Sequence, residues 1–291
     1  MTFSENPALP DEARLLLQSA TRRETPSGEG SLVWHLWGPE SSPSGTMPVV
    51  LLHGGSGSWT HWLRNIAALL ASGRRVLVPD LPGSGDSAMP PRGGDADALP
   101  EPLEQGLQIL LGDSACELVG FSFGGMVAGF LAERFPARVA RLMLVGAPGL
   151  GITPQPVISL RAWRHLPDAA ERDAVHRGNL AALMLYRSEA ISEATLRLHV
   201  ANVVRDRMTG RRLSRTDALL RSLAQLRCPM HAIYGREDAL YLGKLAALET
   251  ALRQAGDFRG LAFIEEAGHW VQFEQAQAFN EALLAVLDRP R

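Results

Sequence analysis

Short apolar runs alternate with longer stretches of helical periodicity from Val49 to the end of the chain. This alternation predicts βαβ units that build a mainly parallel sheet flanked by helices, which is an α/β fold. The predicted strands are Ser31 to Trp37, Val49 to His53, Arg75 to Val78, Glu117 to Gly120, Arg141 to Gly146, Met230 to Tyr234 and Leu261 to Glu265. The predicted helices are Trp59 to Ala71, Leu99 to Leu111, Phe123 to Phe135, Leu242 to Ala255 and Val271 to Leu287.

The alternation stops between Gly149 and about Arg227. No strand pattern is evident there, and Ala, Leu and Arg recur with helical spacing. Pro229 marks the return to the strand pattern. The sequence therefore predicts a core formed by residues 1–148 and 228–291, with a helical cap inserted at residues 149–227.

The composition narrows the classes of function. The chain is 46% hydrophobic and 21% charged with a net charge of −2, so it lacks the basic excess that binds nucleic acid. No apolar run approaches the ~18 residues of a membrane span, and Met1 to Glu5 lack the basic and apolar order of a signal peptide. We expect a cytoplasmic protein that acts on a small molecule, has no nucleic-acid or membrane partner, and is either a monomer or a homodimer.

A candidate nucleophile lies in the sequence Gly120-Phe121-Ser122-Phe123-Gly124, which matches the motif G-x-S-x-G. The motif follows a predicted strand and opens a predicted helix, which is the context that its chemistry requires. The nucleophile of such a motif lies on a sharp turn, where bulky neighbours would collide with the strand and the helix. A serine at a helix start can also be a simple N-cap, so its role depends on partners elsewhere in the chain.

A glycine-rich loop, HGGSG from His53 to Gly57, follows the predicted strand that begins at Val49. Backbone N–H groups of such a loop can stabilise the negative charge that develops on a carbonyl oxygen. The expected donors of this oxyanion hole are the amides of Gly55 and Phe123. A phosphate-binding loop is the alternative, but the G-x-x-x-x-G-K-[ST] and G-x-G-x-x-G patterns are missing.

A serine hydroxyl needs a base and an orienting carboxylate before it can attack a carbonyl. His269 follows the last predicted strand and is the candidate base, whereas the other seven histidines lie in strands, helices or the glycine-rich loop. Asp238 follows the strand Met230 to Tyr234 and is the candidate acid, with Glu237 as its local competitor. The chain order Ser122, Asp238, His269 is the order of the G-x-S-x-G class.

The ordered set HGGSG, DLPGSGDS, GFSFGG, YGRED and AGHW resembles the α/β-hydrolase superfamily from about Val49 to the C-terminus. The resemblance implies an eight-stranded sheet whose second strand is antiparallel, with a cap inserted after the sixth strand over the active site. It also implies that the loop from Asp80 to Ser87 is structural.

Two stretches resemble the meta-cleavage product hydrolases, which cut carbon–carbon bonds in diketones from aromatic ring cleavage. They are Leu142 to Gly151 and the last helix from His269 onward. The chain departs from that family at Phe121, where Asn is usual, and at His199, which lies near the position of the family's cap arginine. The candidate substrate contacts are Gly54, Phe121, Trp163, His199 and Trp270. Trp270 is equally well explained as a packing residue.

These features predict a serine hydrolase in which Ser122 attacks a carbonyl and forms an acyl-enzyme, which water activated by His269 releases. An ester or a lactone is the leading substrate. Cleavage of a carbon–carbon bond in a meta-cleavage-type diketone is the alternative, and a non-catalytic ligand receptor on the same fold is a third hypothesis. The sequence has no metal-ligand cluster or cofactor fingerprint, so we expect no metal and no cofactor.

Overall fold

The computed structural model describes residues 9–40, 46–153, 157–208 and 210–290, so Met1 to Glu5 lie outside the described residues. Their strands are β1 Thr21–Ser27, β2 Gly30–Trp37, β3 Val49–Leu52, β4 Val76–Pro79, β5 Cys116–Phe121, β6 Val139–Val145, β7 Met230–Gly235 and β8 Phe258–Ile264. They form one sheet in the order β1-β2-β4-β3-β5-β6-β7-β8. Strands β3 to β8 are parallel, whereas β2 pairs antiparallel with β1 and β4. The expected eight-stranded sheet with an antiparallel second strand is confirmed.

Helices cover both faces of the sheet. They are α1 Asp11–Gln18, α2 Ile66–Ala71, α3 Pro100–Leu111, α4 Phe123–Arg134, α5 Ala169–Asn179, α6 Glu193–Val203, α7 Ala218–Leu223, α8 Leu245–Leu252, α9 Val271–Glu274 and α10 Ala276–Leu287. Alternate strand residues enter two separate cores: Val50 and Leu52 pack with α3, α4 and α8, while Val49 and Leu51 pack with α1, α2 and α10. Because both faces are buried, the central strands are continuous apolar runs in the sequence.

Strand β1 is absent from the sequence prediction. Its sequence TRRETPS has no apolar run, and only Thr25 and Ser27 are buried. It forms because it pairs with β2 along its whole length, and because Trp34 Nε1 donates a hydrogen bond of 2.9 Å to Thr25 Oγ1. Tertiary pairing here overrides the local pattern.

Two predicted helices are interrupted where they meet each other. The first is a 3₁₀ turn, Trp59–Trp62, followed by α2, and the last is divided into α9 and α10 at Gln275. Asn65 Nδ2 lies between these segments and donates to Gln272 O at 2.9 Å and to Asn280 Oδ1 at 2.8 Å. Both interruptions therefore coincide with a polar contact between segments that are distant in sequence.

The described residues between β6 and β7 form helices and loops without a strand. Helix α7, which the sequence placed in the cap, packs instead on α4, where Leu219 and Leu223 join the main core. Leu219 fits because Gly129 leaves space: a Cβ at Gly129 would lie 2.4 Å from Leu219 Cδ1. Within the described part of the chain, no helix is long and apolar enough to cross a lipid bilayer.

Candidate active site

Ser122 occupies the turn between β5 and α4, with φ 51° and ψ −118°. A side chain on Gly120 would place its Cβ 2.4 Å from the carbonyl oxygen of Gly124. A side chain on Gly124 would place its Cβ 2.4 Å from the carbonyl oxygen of His53. The turn therefore requires glycine on both sides of Ser122, as the motif predicted.

Backbone strain is concentrated near Ser122. Among the described residues, the non-glycine residues with positive φ are Ser56, Ser122 and Glu266. Ser56 belongs to the glycine-rich loop, and Glu266 lies in the loop that leads to His269. Such conformations persist only where surrounding contacts hold them, and they cluster at functional sites.

Ser122, His269 and Asp238 form a continuous chain of hydrogen bonds. Ser122 Oγ lies 2.9 Å from His269 Nε2, and His269 Nδ1 lies 2.9 Å from Asp238 Oδ2. A carboxylate only accepts, so Nδ1 carries the proton and Nε2 accepts from the serine hydroxyl. Asp238 is fully buried and also accepts from the backbone N–H of Leu240 at 2.9 Å. This arrangement orients the imidazole as a base toward Ser122.

The structure distinguishes the two candidate acids. The carboxylate beside His269 belongs to Asp238, while Glu237 contributes a backbone N–H that donates to Ala267 O at 2.9 Å. Tyr234 and Tyr241 support the same region, since both hydroxyls donate to Ala147 O, at 3.0 and 2.6 Å. The sequence analysis did not identify this support.

The candidate oxyanion donors, the amides of Gly55 and Phe123, belong to residues that border the same cavity as Ser122. Neither N–H donates a hydrogen bond within the described part of the protein. Gly54 has a different role, because its N–H donates to His61 Nδ1 at 3.1 Å. The N–H groups of Gly55 and Phe123 therefore stay candidates for stabilising an oxyanion.

Two buried histidines hold the glycine-rich loop. His53 Nε2 accepts from Leu81 N at 2.8 Å, so its Nδ1–H donates to Gly54 O at 2.8 Å. Burial lowers the pKa of His53, and burial together with neighbouring imidazoles holds the pKa of His61 well below its usual range. Both rings are therefore neutral and can each donate and accept one hydrogen bond. The sequence signal for them was their position inside and just after the loop.

A cavity of about 560 Å³, here called the Ser122 cavity, opens over Ser122 and His269. It also contains Gly55 and Phe123, so all the candidate catalytic groups except the buried Asp238 border it. Much of its remaining wall is apolar and includes Ile152, Ile158, Leu160, Leu183, Met184 and Leu240. The candidate nucleophile, the candidate base and the candidate oxyanion donors therefore face one largely apolar space.

The family model described as alpha/beta hydrolase fold matches residues 47–227, which is more than half of the chain. This chain belongs to the α/β-hydrolase family. The predictions of fold, family and enzymatic character are confirmed.

Individual similar proteins differ in their chemistry. The dihydrolipoyllysine-residue acetyltransferase component of the acetoin cleaving system from Pseudomonas putida is 32% identical over 85% of this chain, which spans only 65% of that relative. The 2-hydroxy-6-oxo-6-phenylhexa-2,4-dienoate hydrolase from Burkholderia cepacia is 27% identical over 82% of this chain and 87% of its own. An esterase structure from Rhodococcus sp. ECU1013 has a TM-score of 0.74 at 22% identity, over 91% of this chain and 98% of that one. The resemblance to meta-cleavage product hydrolases is confirmed by further relatives.

A second cavity of this α/β hydrolase, here called the side cavity, has a volume of about 310 Å³. It shares wall residues with the Ser122 cavity, Gly55 and Met184 among them. Trp163 and His199 line the side cavity together with His176, whose ring centroid lies 4.7 Å from that of Trp163 and 5.4 Å from that of His199. Burial and the neighbouring His176 lower the pKa of His199 to about 3, so its ring is neutral near pH 7.

The other candidate substrate contacts have different surroundings. Phe121 borders the Ser122 cavity, and its ring centroid lies 5.1 Å from that of His269. Trp270 is fully buried, stacks on Phe273 at 4.1 Å and donates to the carbonyl oxygen of His61 at 3.0 Å. Gly54 lies beneath Phe121, whose ring a Cβ at Gly54 would approach to 2.8 Å. Gly54 and Trp270 border neither of the two cavities among the described residues.

Glu274 is a buried carboxylate that the sequence analysis did not assign. It accepts from Gly268 N at 2.7 Å, from Tyr186 N at 3.0 Å and from Arg187 N at 2.7 Å. Trp270 N also donates to Met184 O at 2.7 Å. These bonds join the loop of His269 to the segment after α5. Within the described residues, no group of three His, Cys, Asp or Glu side chains could hold a metal ion.

Proposed function

We propose that this α/β hydrolase is a serine hydrolase that cleaves small carboxylic esters or lactones through an acyl-enzyme on Ser122. The observation that carries the proposal is the chain of hydrogen bonds that joins Ser122 Oγ, His269 and Asp238. Ser122, at one end of this chain, borders the Ser122 cavity. A serine that served only as an N-cap would need neither partner.

The proposed reaction uses these groups in turn. Ser122 Oγ attacks the substrate carbonyl carbon while His269 Nε2 takes the hydroxyl proton, and the carbonyl oxygen becomes an oxyanion that the two free amides stabilise. The bond to the leaving oxygen then breaks as His269 returns the proton to it. Water repeats the sequence on the acyl-enzyme and releases the acid. Asp238 keeps the imidazole in the correct tautomer and stabilises its charged form.

The shape of the Ser122 cavity favours an apolar substrate. Much of its wall is apolar and Phe121 gives an apolar ring beside the nucleophile, while Arg211 and Arg215 also border the cavity. Val157 and Leu160, which border the cavity, are exposed at 75% and 50%, so its outer part is apolar too. We expect alkyl and aryl esters of moderate chain length to be preferred over charged ones.

Cleavage of a carbon–carbon bond is the second candidate function, and the side cavity favours it. A ring-fission dienone has a polar enol end and an apolar end, and the side cavity contributes polar side chains, His199 and Asn179 among them, next to the more apolar Ser122 cavity. His199 and Trp163 would contact the polar end. The name of the Burkholderia cepacia relative describes such a compound, and that relative is 27% identical.

One substrate panel separates these functions. Aryl and alkyl esters of graded chain length are compared with a coloured ring-fission dienone, using the wild-type protein and Ser122→Ala. We expect ester hydrolysis that Ser122→Ala abolishes. Loss of the dienone's colour without ester hydrolysis would favour carbon–carbon cleavage. Wild-type turnover by Ser122→Ala would refute both, and saturable binding without labelling by a fluorophosphonate would favour the receptor.

A further inference from the structure

Three side chains connect the segment after α6 to the glycine-rich loop. Arg211 Nη2 lies 2.5 Å from Asp206 Oδ1, and Arg211 Nη1 donates to Ser56 Oγ at 3.2 Å. Ser56 Oγ in turn donates to Asp206 Oδ2 at 2.6 Å. The arginine and aspartate side chains are only 22% and 12% exposed. The three side chains form a closed ring of hydrogen bonds. Arg211 uses both Nη atoms, Asp206 uses both carboxylate oxygens, and the Ser56 hydroxyl bonds to each of the two residues.

The guanidinium of Arg211 also lies beside Gly55 and over the side-chain ring of Phe123. A Cβ at Gly55 would lie 3.0 Å from Arg211 Nη1, so the guanidinium covers the backbone at that position. Its Cζ lies 5.2 Å from the ring centroid of Phe123, and the residue borders the Ser122 cavity. Arg211 Nε is buried without a hydrogen-bond partner among the described residues. A buried donor without a partner costs stability, and this one lies beside the candidate reaction site.

Ser56 itself is strained, with φ 52°. A serine holds this conformation only when its surroundings impose it. Its hydroxyl accepts from Arg211 and donates to Asp206, so these contacts fix the residue next to Gly55. Two side chains from the segment after α6 therefore hold the residue that follows Gly55 and support the glycine-rich loop beside the Gly55 amide.

We propose that Arg211 and Asp206 are positioning residues that hold the glycine-rich loop in the conformation that stabilises the oxyanion. The proposal rests on the proposed function, because it assigns these residues to the same oxyanion hole. They act through Ser56 and Gly55 and do not themselves react. The segment after α6 would then complete the active site as well as border the Ser122 cavity.

The same segment supplies a matched control. Arg205, also in the segment after α6, forms an ion pair with the loop after β4: its Nη1 lies 2.9 Å from Asp86 Oδ1. This pair does not border the Ser122 cavity among the described residues. Arg205→Gln removes one such ion pair without touching the glycine-rich loop, whereas Arg211→Gln and Asp206→Asn disturb the ring around Ser56.

The test compares these variants on the best ester, together with inhibition by phenylboronic acid, whose serine adduct is tetrahedral and mimics the oxyanion. Circular dichroism verifies the fold of each variant. We expect Arg211→Gln and Asp206→Asn to lower kcat about 10-fold to 100-fold with little change in KM, and to weaken boronate inhibition by a similar factor. We expect Arg205→Gln to resemble the wild type.

Each other outcome would overturn the proposal. If Arg211→Gln and Arg205→Gln behave alike, the ring has only a structural role. If Arg211→Gln raises KM and leaves kcat unchanged, the arginine binds substrate instead. Ser122→Ala is measured in parallel. If Ser122→Ala is inactive and Arg211→Gln keeps the wild-type kcat, only this inference is refuted. If Ser122→Ala is active, the proposed function is refuted.

Discussion

The loops that follow β5, β7 and β8 carry Ser122, Asp238 and His269. They differ from residues 146–229 between β6 and β7, here called the facing segment, in how their histidines are supported. His269 has the buried Asp238 on one side and Ser122 on the other. His176 and His199, in the facing segment, have no hydrogen bond to a carboxylate among the described residues, and burial lowers the pKa of both. Of these three rings, only the one with a carboxylate can hold a transferred proton during turnover. The comparison is consistent with the proposal that His269, rather than His176 or His199, transfers the proton.

The largest expected effect is that of Asp238→Asn, which removes the carboxylate that supports His269. An amide in place of the carboxylate favours the wrong tautomer of His269, so we expect kcat to fall on the order of 10⁴-fold with little change in KM. Steady-state kinetics on the best ester measures this. The neighbouring Glu237→Gln is the control, and a comparable loss there would mean that the acid is misassigned.

The turn that carries Ser122 is tested by Gly124→Ala. Its Cβ would lie 2.4 Å from the carbonyl oxygen of His53, so we expect a loss of about 3 kcal/mol in the free energy of unfolding, together with lower activity. Chemical denaturation measures the stability. Gly178→Ala in α5 is the matched control, because no heavy atom lies within 4 Å of its added Cβ and the change should stabilise by about 0.5–1 kcal/mol. Equal stability of the two variants would contradict this account of the turn.

The contact between the two regions is tested by Glu274→Gln. The amide replaces a carboxylate oxygen that accepts a backbone N–H, so we expect about a 10-fold lower kcat and a loss of about 1–3 kcal/mol in stability. Glu281→Gln on α10 is the control, since among the described residues the Glu281 carboxylate accepts only from the exposed side chain of Gln277. Kinetics and denaturation of both variants give the comparison, and unchanged kcat in Glu274→Gln would show that the contact does not position His269.

The last prediction concerns the acid stability of the helical segment that contains His199. The pKa of His199 is lowered from 6.5 to about 3, mainly by burial, so below pH 6.5 the unfolded chain binds a proton that the folded protein does not. Stability therefore falls as the pH falls from 6.5 toward 3, by about 1.4 kcal/mol per pH unit for one such group. His199→Gln should make this decline shallower by about that amount. Denaturation at several pH values measures the slope, and an unchanged slope would mean that His199 is accessible to protons when folded.

The sequence predicted the features that local patterns encode. Ser122, Asp238 and His269 each follow a strand in a fixed chain order, and the central strands are continuous apolar runs. Strand β1 was missed because its residues are polar and its stability comes from pairing with β2. The packing of α7 on α4 could not be predicted either, since helical periodicity does not tell which neighbour a helix packs against.

The supporting residues were not predictable for a related reason. Glu274 bonds to Tyr186, 88 positions away, and Arg211 bonds to Ser56, 155 positions away. Neither residue belongs to a motif with fixed spacing, so only the folded chain reveals its partner. Trp270 shows the opposite case, in which a residue named by resemblance has packing and a carbonyl contact as its visible role.

The central claim is that Ser122 is the covalent nucleophile, and trapping the acyl-enzyme tests it most directly. The protein is mixed with an activated aryl ester, quenched with acid within the first turnover and analysed by mass spectrometry before and after digestion. We expect one acyl group on the peptide that contains Ser122, and none in Ser122→Ala. An acyl group on another residue, or turnover by Ser122→Ala at the wild-type rate, would contradict the account.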